Sequence, residues 1–372
     1  MSVVFILGGS GNTGRRIAKL LLEYTDARII LGARNELRLK ETAEELHAHT
    51  RVSWHTVDAS RPGELSKYLE PVDLLVVASP LSGNFGELAQ EAMRAECDVL
   101  DTIYSSRKLA QLTELAGDLE AAGRCFITDA GFHPGLPAAL VRYAAGKMDT
   151  LSRADVYSVI RDDWAHRQVA SSTRREFVEE LLSMDMTVFQ DGTWRKAGMT
   201  STRYYRKEFF ASVPGTFLCA PMMFEEMRTL PHDIPGLADT GFYIAGFHWY
   251  VDYVVMPLVL LGLKTLPSSC HPFLASWFFR SLCRVSKPPF CTALKLVAEG
   301  FKNGAPYRFS LELSHEDGYW FTATPVTSCI KQYLDGSLKK PGLNFMGRVV
   351  DPDRTLRDLG SWGISSQEND LT

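Results

Sequence analysis

The stretch VVFILGGSGNTGRRIAKLLLEY, residues 3–24, constrains this chain more than any other. An apolar, β-branched run gives way to glycines and then to apolar residues at helical spacing, so a strand must enter a tight turn and leave it as a helix. Gly9, Gly11 and Gly14 stand in G-x-G-x-x-G order. In such a turn the first glycine permits the bend, the second lets backbone approach a pyrophosphate, and the third allows close helix–strand packing. The helix start adds free N–H groups and a positive dipole end for the anion. With Ser10, Asn12 and Thr13 between them, residues 9–14 are candidate dinucleotide-binding residues.

The next strand, ARIILGARN at 27–35, tests which dinucleotide. A ribose 2′-hydroxyl calls for Asp or Glu at the strand end, but here stand Gly32, Ala33 and Arg34. A guanidinium there accommodates a 2′-phosphate, so Ala33 and Arg34 point to NADP(H), against the plain alternative of a solvated arginine. Further strands at 51–59, 72–80, 97–105 and 125–131 alternate with helical stretches, the rhythm of an α/β, Rossmann-type doubly wound parallel sheet. Ligands sit outside the carboxyl ends of such strands. Asp58 is therefore expected near the adenine, or equally as a helix cap before Ser60 and Pro62, and Ala78, Ser79 and Pro80 near the nicotinamide ribose.

Charge narrows the partners: 40 Lys and Arg against 44 Asp and Glu leave a net charge of −4, with no basic excess for nucleic acid. A small-molecule partner is expected. The seven cysteines are scattered, with no C-x-x-C pair, which argues against a zinc site or a disulfide framework and for no metal. Val3–Leu7 runs straight into glycines rather than to a cleavage site, so the expectation is a cytoplasmic chain. The segment 241–264 approaches membrane-spanning length. It reads instead as a buried or dimer-interface helix interrupted by Pro257, with His248 and Asp252 on one face as an orienting pair or a satisfied core pair. Membrane contact is the minor reading.

The stretch ITDAGFHPGLPAALV, 127–141, sets a titratable imidazole at the mouth of a turn. Pro134 biases His133 away from helical angles and Gly135 permits a sharp bend. His133 then serves either proton transfer at the reacting centre or a capping role. Beyond residue 145 the pattern changes: 153–164 alternates like a strand, and 305–325 reads as a hairpin turning at His315–Gly318, which together suggest a largely antiparallel sheet. Arg161 and Arg203, the latter with Tyr204 and Tyr205, are candidates for a substrate carboxylate or ordinary solvated arginines. The aromatic, Met- and Leu-rich stretch 210–290 suggests a bulky or apolar substrate or a large dimer interface, and the final SSQENDLT reads as a frayed tail.

The segments ILGGSGNTGRRIA, VLDTIY, DAGFHPGLP, 171–194 and 342–364 resemble the saccharopine dehydrogenase-like family, in the branch of saccharopine reductase, carboxynorspermidine dehydrogenase and lysine dehydrogenase. The resemblance implies an NADP-dependent oxidoreductase that reduces an imine to a secondary amine or oxidises an amine, usually as a homodimer. It implies an NADP-binding domain at 1–140, an inserted substrate and dimerisation domain at 141–328, and a C-terminal return at 329–372. Matching positions place the cofactor along Ser10–Thr13, Ala33, Arg34 and Ala78–Ser79. They place the substrate edge at Pro80, Asp101 and the turn holding Gly131, Phe132 and His133. The family carries an acidic or other polar residue where His133 stands, so the chain departs there.

The catalytic candidates are therefore His133, Asp101 and Tyr104, and the substrate candidates Gly131, Phe132, Arg161, Arg203, Tyr204 and His248. Two other classes compete with a C–N oxidoreductase. One is a non-catalytic NADP(H)-binding sensor, and the other a membrane-associated reductase of an apolar alkene. Retention of Asp101, Tyr104 and His133 favours an enzyme over the sensor.

Overall fold

A computed structural model describes residues 1–46, 50–61, 63–81, 85–166, 184–198 and 202–371. The chain forms two compact units: Met1–Ala139 with Tyr319–Trp362, and Leu140–Gly318 with Gly363–Thr372.

The first unit is built on a parallel seven-stranded sheet. Its strands are β1 (Val3–Leu7), β2 (Arg28–Ala33), β3 (Val52–Thr56), β4 (Leu74–Val77), β5 (Asp98–Asp101), β6 (Cys125–Thr128) and, late in the chain, β15 (Gly342–Phe345). Their order is β15-β6-β5-β4-β1-β2-β3. The chain runs outward from β1 through β2 to β3 and then crosses back to β4 on the other side of β1, so the strand order reverses at β1 and opens a crevice at its carboxyl end. β4 and β6 are four-residue strands buried along their whole length, as both faces of such a sheet demand. Helices α1 (Asn12–Tyr24), α2 (Glu36–Glu45), α3 (Phe85–Arg94), α4 (Ser106–Glu114) and α5 (Leu136–Lys147) follow strands in turn. In α1, Ile17, Ala18, Leu20 and Leu21 are buried beside Val4, Ile6, Ile29 and Leu31 of the sheet. The Rossmann-type sheet and the second, mixed sheet agree with the fold class expected from the sequence.

The second unit holds a nine-stranded sheet. β7 (Thr150–Arg161), β8 (Thr187–Gln190), β9 (Thr193–Lys196), β10 (Arg206–Phe210), β11 (Gly215–Pro221) and β12 (Asp239–Ala245) precede β13 (Cys291–Lys302), β14 (Ala305–His315) and β16 (Ser365–Asp370). Pairing is antiparallel except between β7 and β12. Between β12 and β13 lies a helical hairpin, α6 (Met256–Thr265) and α7 (His271–Val285). Helix α8 (Gly318–Leu334) and helix α9 (Pro352–Ser361) carry the chain through the first unit again.

Three expectations are corrected. The hairpin does not turn at His315–Gly318: β13 and β14 meet across Asn303 and Gly304, both at positive φ, while 318–334 is helix. Asn-Gly in the left-handed region is the favoured tight turn between antiparallel strands, so 305–315 pairs with the strand before it and not with 319–325. The tail is not frayed, because Ser365–Asp370 pairs along β14 from Ser314 to Phe309. Nor is 241–264 one helix. Its first residues complete β12 beside β7, and helix then runs without a break from Trp249 through a π-helical turn at Val251–Val255 into α6, so Pro257 sits just past that turn without ending the helix. Of the stretch 171–194, residues 171–183 lie outside the described residues, as does Pro62.

Candidate nucleotide site and the turn beside it

Backbone geometry at the end of β1 is set by Gly8. Its φ is +86°, a left-handed conformation that glycine adopts without penalty, and its N–H donates to the Gly32 carbonyl at 2.7 Å. The bend was expected at Gly9, but Gly9 is needed for space: a Cβ there would stand 2.9 Å from the Leu31 side chain. Gly14 permits the closest approach. A Cβ on it would come within 2.3 Å of the Gly8 carbonyl oxygen, so α1 can sit against the strand end only with glycine here. Gly11 caps α1 with no side chain, leaving the first N–H groups of Asn12, Thr13 and Gly14 to the solvent side of the turn.

The neighbouring strand ends converge on this loop. Ala78 donates its N–H to the Leu7 carbonyl at 2.8 Å, and Ala78 and Ser79 lie against Gly8. Arg34 is exposed just past β2, followed by Asn35, whose side chain caps α2. The Asp58 carboxylate accepts from the Ser60 hydroxyl at 2.6 Å, which holds it below the usual carboxylate range, helped by the charges of Arg34 and Arg61. This closes a local turn and not a helix start, since the next helix begins at Ser66 with Leu65 as its N-cap, so Asp58 does not cap a helix as one of its two readings had it. Pro80 follows Ser79 on the same strand end.

One feature had no signal in the sequence. Lys108, in the first turn of α4, is fully buried. Its ammonium donates to Asp101 Oδ1, Asp129 Oδ1 and Thr128 Oγ1, each at 2.7 Å, and also to the Ile103 carbonyl. Burial alone would push the ammonium down, but the two carboxylates outweigh it and hold Lys108 above its ordinary value. Asp101 was expected at the reacting centre; instead its carboxylate is turned inward, 1% exposed, to pair with Lys108 and accept from the Ile103 N–H. Tyr104 remains half-buried on the loop that follows β5.

The turn after β6 begins at Asp129, a non-glycine residue at φ +56°, and closes at Gly135, φ +117°. A Cβ on Gly135 would strike the Gly131 carbonyl at 2.5 Å and the Met346 side chain at 2.6 Å, so the bend is as tight as the sequence implied. His133 rides on this bend with its ring 3.8 Å, centroid to centroid, from Phe132, which stacks in turn on Phe321 at 5.2 Å. The residue keeps some accessible surface while Nε2 is shielded from solvent. Burial pushes the imidazole down to about 4, so it is neutral at physiological pH. Phe321 and Met346 come from α8 and from the turn after β15, far along the chain, and were not among the expected site residues.

The other substrate candidates lie in the second unit. Arg161 does not present a free fork: its Nη1 donates to the carbonyls of Phe247 and, at 3.3 Å, Gly246, and the guanidinium lies over Phe217 at 5.0 Å. Arg203 is exposed, with its guanidinium 5.5 Å from the Tyr204 ring centre, and Tyr204 packs on the sheet core. His248 and Asp252 are not an imidazole–carboxylate pair of the expected kind. The Asp252 carboxylate accepts from the Phe247 N–H at 2.9 Å, and His248 Nδ1 accepts from the Tyr250 N–H at 3.2 Å. Helix begins at Trp249 and the Asp252 N–H donates to the His248 carbonyl at 2.9 Å, so the i, i+4 spacing holds, but both side chains are spent on N–H groups at the helix entry.

Among the described residues no group of three or more His, Cys, Asp or Glu is placed to hold a metal ion, and no helix is long and apolar enough to cross a membrane. A cavity of about 930 Å³ opens at the amino-terminal ends of β4–β6, lined by Asp73, Asp98, Arg124 and Tyr333 among others. It is at the wrong end of the sheet for the glycine turn.

Comparison with known proteins follows this geometry. The sequence model described as the saccharopine dehydrogenase NADP binding domain matches residues 4–124. The first unit thus contains an NADP-binding domain, as the sequence had indicated. No curated protein matches the sequence. Among solved structures, the apo saccharopine dehydrogenase (L-Glu forming) of Saccharomyces cerevisiae aligns over 100% of both chains at 14% identity, with a TM-score of 0.72. The DAP dehydrogenase of C. glutamicum, in complex with DAP, aligns over 97% of this chain and 98% of its own, at 14% identity and a TM-score of 0.50. Both likenesses concern the fold.

Proposed function

We propose that this chain is an NADP(H)-dependent oxidoreductase acting at a C–N bond, reducing an imine to a secondary amine or oxidising an amine or amino acid. The observation that carries the reading is the Gly131–Gly135 turn, which sets a neutral imidazole at the carboxyl end of β6 within the NADP-binding unit. The whole-length fold likeness to a saccharopine dehydrogenase supports it, as does the resemblance of the glycine-turn and DAGFHPGLP segments.

The nicotinamide, when bound, supplies or accepts the hydride. The chain's residues bind and orient it: the Gly8–Gly14 backbone holds the pyrophosphate, Arg34 the 2′-phosphate, and Ala78–Pro80 border the nicotinamide ribose. His133 manages the nitrogen proton. With a pKa near 4 the ring is neutral but a weak base at neutral pH, so in amine oxidation it orients the nitrogen by a hydrogen bond and relays its proton to solvent rather than holding it. In the reductive direction hydride adds to an iminium that already carries its proton, and the neutral ring donates a hydrogen bond to the amine nitrogen so formed. Asp101 acts through Lys108, fixing the floor under the turn, and Tyr104 on the neighbouring loop is the further catalytic candidate of this unit; Arg203 and Tyr204 remain the substrate candidates of the second unit. The aromatic content of 210–290 favours a bulky or apolar substrate.

The test is NADPH consumption by the purified protein offered paired amines and oxo acids, apolar amines included, with the reverse reaction run on secondary amines and amino acids. Turnover on any pair that falls in His133→Ala supports the proposal. Tight NADPH binding with no turnover anywhere in the panel would overturn it in favour of a sensor.

A further inference from the structure

The helical hairpin of the second unit has two apolar sides, and only one of them is packed. On the inner side Val251, Val255, Val259 and Leu263 meet Leu274, Phe278 and Leu282, all buried. On the outer side Trp249, Tyr253, Leu258, Leu261, Leu266 and Phe273 are exposed, Trp249 by 64% and Phe273 by 66%. Trp249, Tyr253, Leu258 and Leu261 are spaced four, five and three apart, the step of five crossing the wider π-helical turn, so they form one stripe rather than scattered exceptions. An apolar helix face of this size in water needs an occupant.

Charge identifies its kind. Although the chain as a whole carries −4, the charged residues of 246–290 are Lys264, Arg280, Arg284 and Lys287 against Asp252 alone. Asp252 is turned inward onto the Phe247 N–H, while the four cations are exposed. On α7 the outward positions Phe273, Arg280 and Arg284 recur at spacings of seven and four, so aromatic and cationic groups share a face. Aromatic anchors and apolar side chains among cations, on helices too short to span, are the makeup of a segment that lies in a membrane interface. A second copy of the chain fits less well, because a two-fold contact would bring two copies of the same four-cation patch together with only the inward-turned Asp252 of each as counter-charge.

We propose that the outer face of the 249–285 hairpin docks the protein on an anionic lipid surface, with Trp249, Tyr253, Leu258, Leu261 and Phe273 entering the headgroup boundary and Lys264, Arg280, Arg284 and Lys287 facing the lipid charges. The inference is independent of the reaction proposed above.

The experiment is co-sedimentation of the full chain with vesicles of phosphatidylcholine alone or mixed with phosphatidylserine, beside sedimentation velocity without lipid. Binding to the mixed vesicles is expected, weakened by salt and weak on phosphatidylcholine alone. Leu258→Glu with Leu261→Glu is expected to lower it at least about tenfold, and Arg284→Ala about fivefold, from roughly 1 kcal/mol per basic residue near the surface. Both variants change exposed residues, so thermal unfolding and NADPH binding should match the parent. Equal recovery of parent and Leu variant in the supernatant with mixed vesicles would overturn the proposal. So would a dimer that the Leu variant splits while vesicles capture neither, which would assign the face to a second copy.

Discussion

Lys108 Nζ stands 2.7 Å from Asp101 Oδ1, and equally close to Asp129 Oδ1, with all three groups shut away from water. One ammonium thereby ties the end of β5, the start of α4 and the entry to the His133 turn.

Removing that ammonium leaves two buried carboxylates without their counter-charge. Lys108→Met is expected to cost about 3–5 kcal/mol of stability. Adding Asp101→Asn and Asp129→Asn should recover part of the loss. Urea unfolding of the three proteins measures this, and an unchanged midpoint in Lys108→Met would deny the cluster its role.

Gly14→Ala puts a methyl where the Gly8 carbonyl already sits. Helix α1 must then retreat from the turn, and NADPH affinity should fall by at least about tenfold, or 1.4 kcal/mol. Fluorescence titration with NADPH checks it; parental affinity would mean the helix start does not hold the pyrophosphate.

Arg34 distinguishes the two nicotinamide cofactors if it meets the 2′-phosphate. Arg34→Asp should weaken NADPH by about 10–100-fold, the range of a hydrogen bond to a charged group, and leave NADH nearly unchanged. Equal weakening of both would remove the assignment.

His133 has two separable signatures. His133→Ala should lower turnover by about 10²–10⁴-fold with NADPH binding kept. The second is stability: the folded imidazole titrates near 4 against an ordinary 6.5, so between these values the unfolded chain binds a proton that the folded chain does not. Stability must therefore fall as pH drops from 6.5 toward 4. His133→Gln lacks that contribution, and its Tm should decline less steeply over the same window.

The parts of this molecule that could be read from the sequence are those whose causes are local. The glycine turn is one, because strand, bend and helix lie within residues 3–24, although Gly8 rather than Gly9 takes the positive φ. Arg34 at a strand end and the bend at Gly135 are others. Lys108 was illegible because its meaning depends on β5 and β6 arriving beside α4, and in SSRKLAQ it looks like any surface lysine. Phe321 and Met346 reach the turn only through the long excursion of the chain. Arg161 was misread since the carbonyls that take its donors, at 246 and 247, lie on a loop that sequence spacing had drawn as helix.

Neither unit is a continuous piece of chain, and this bears on how the protein is made. As synthesis proceeds, β6 emerges with one edge bare, and its neighbour β15 appears only after the whole second sheet but its last strand has been translated. β14 waits in the same way for β16. Open strand edges invite pairing with other chains. A ribosome stalled or a gene truncated ahead of residue 342 would release two unfinished sheets at once, and residues 342–370 act as the closing seam of both.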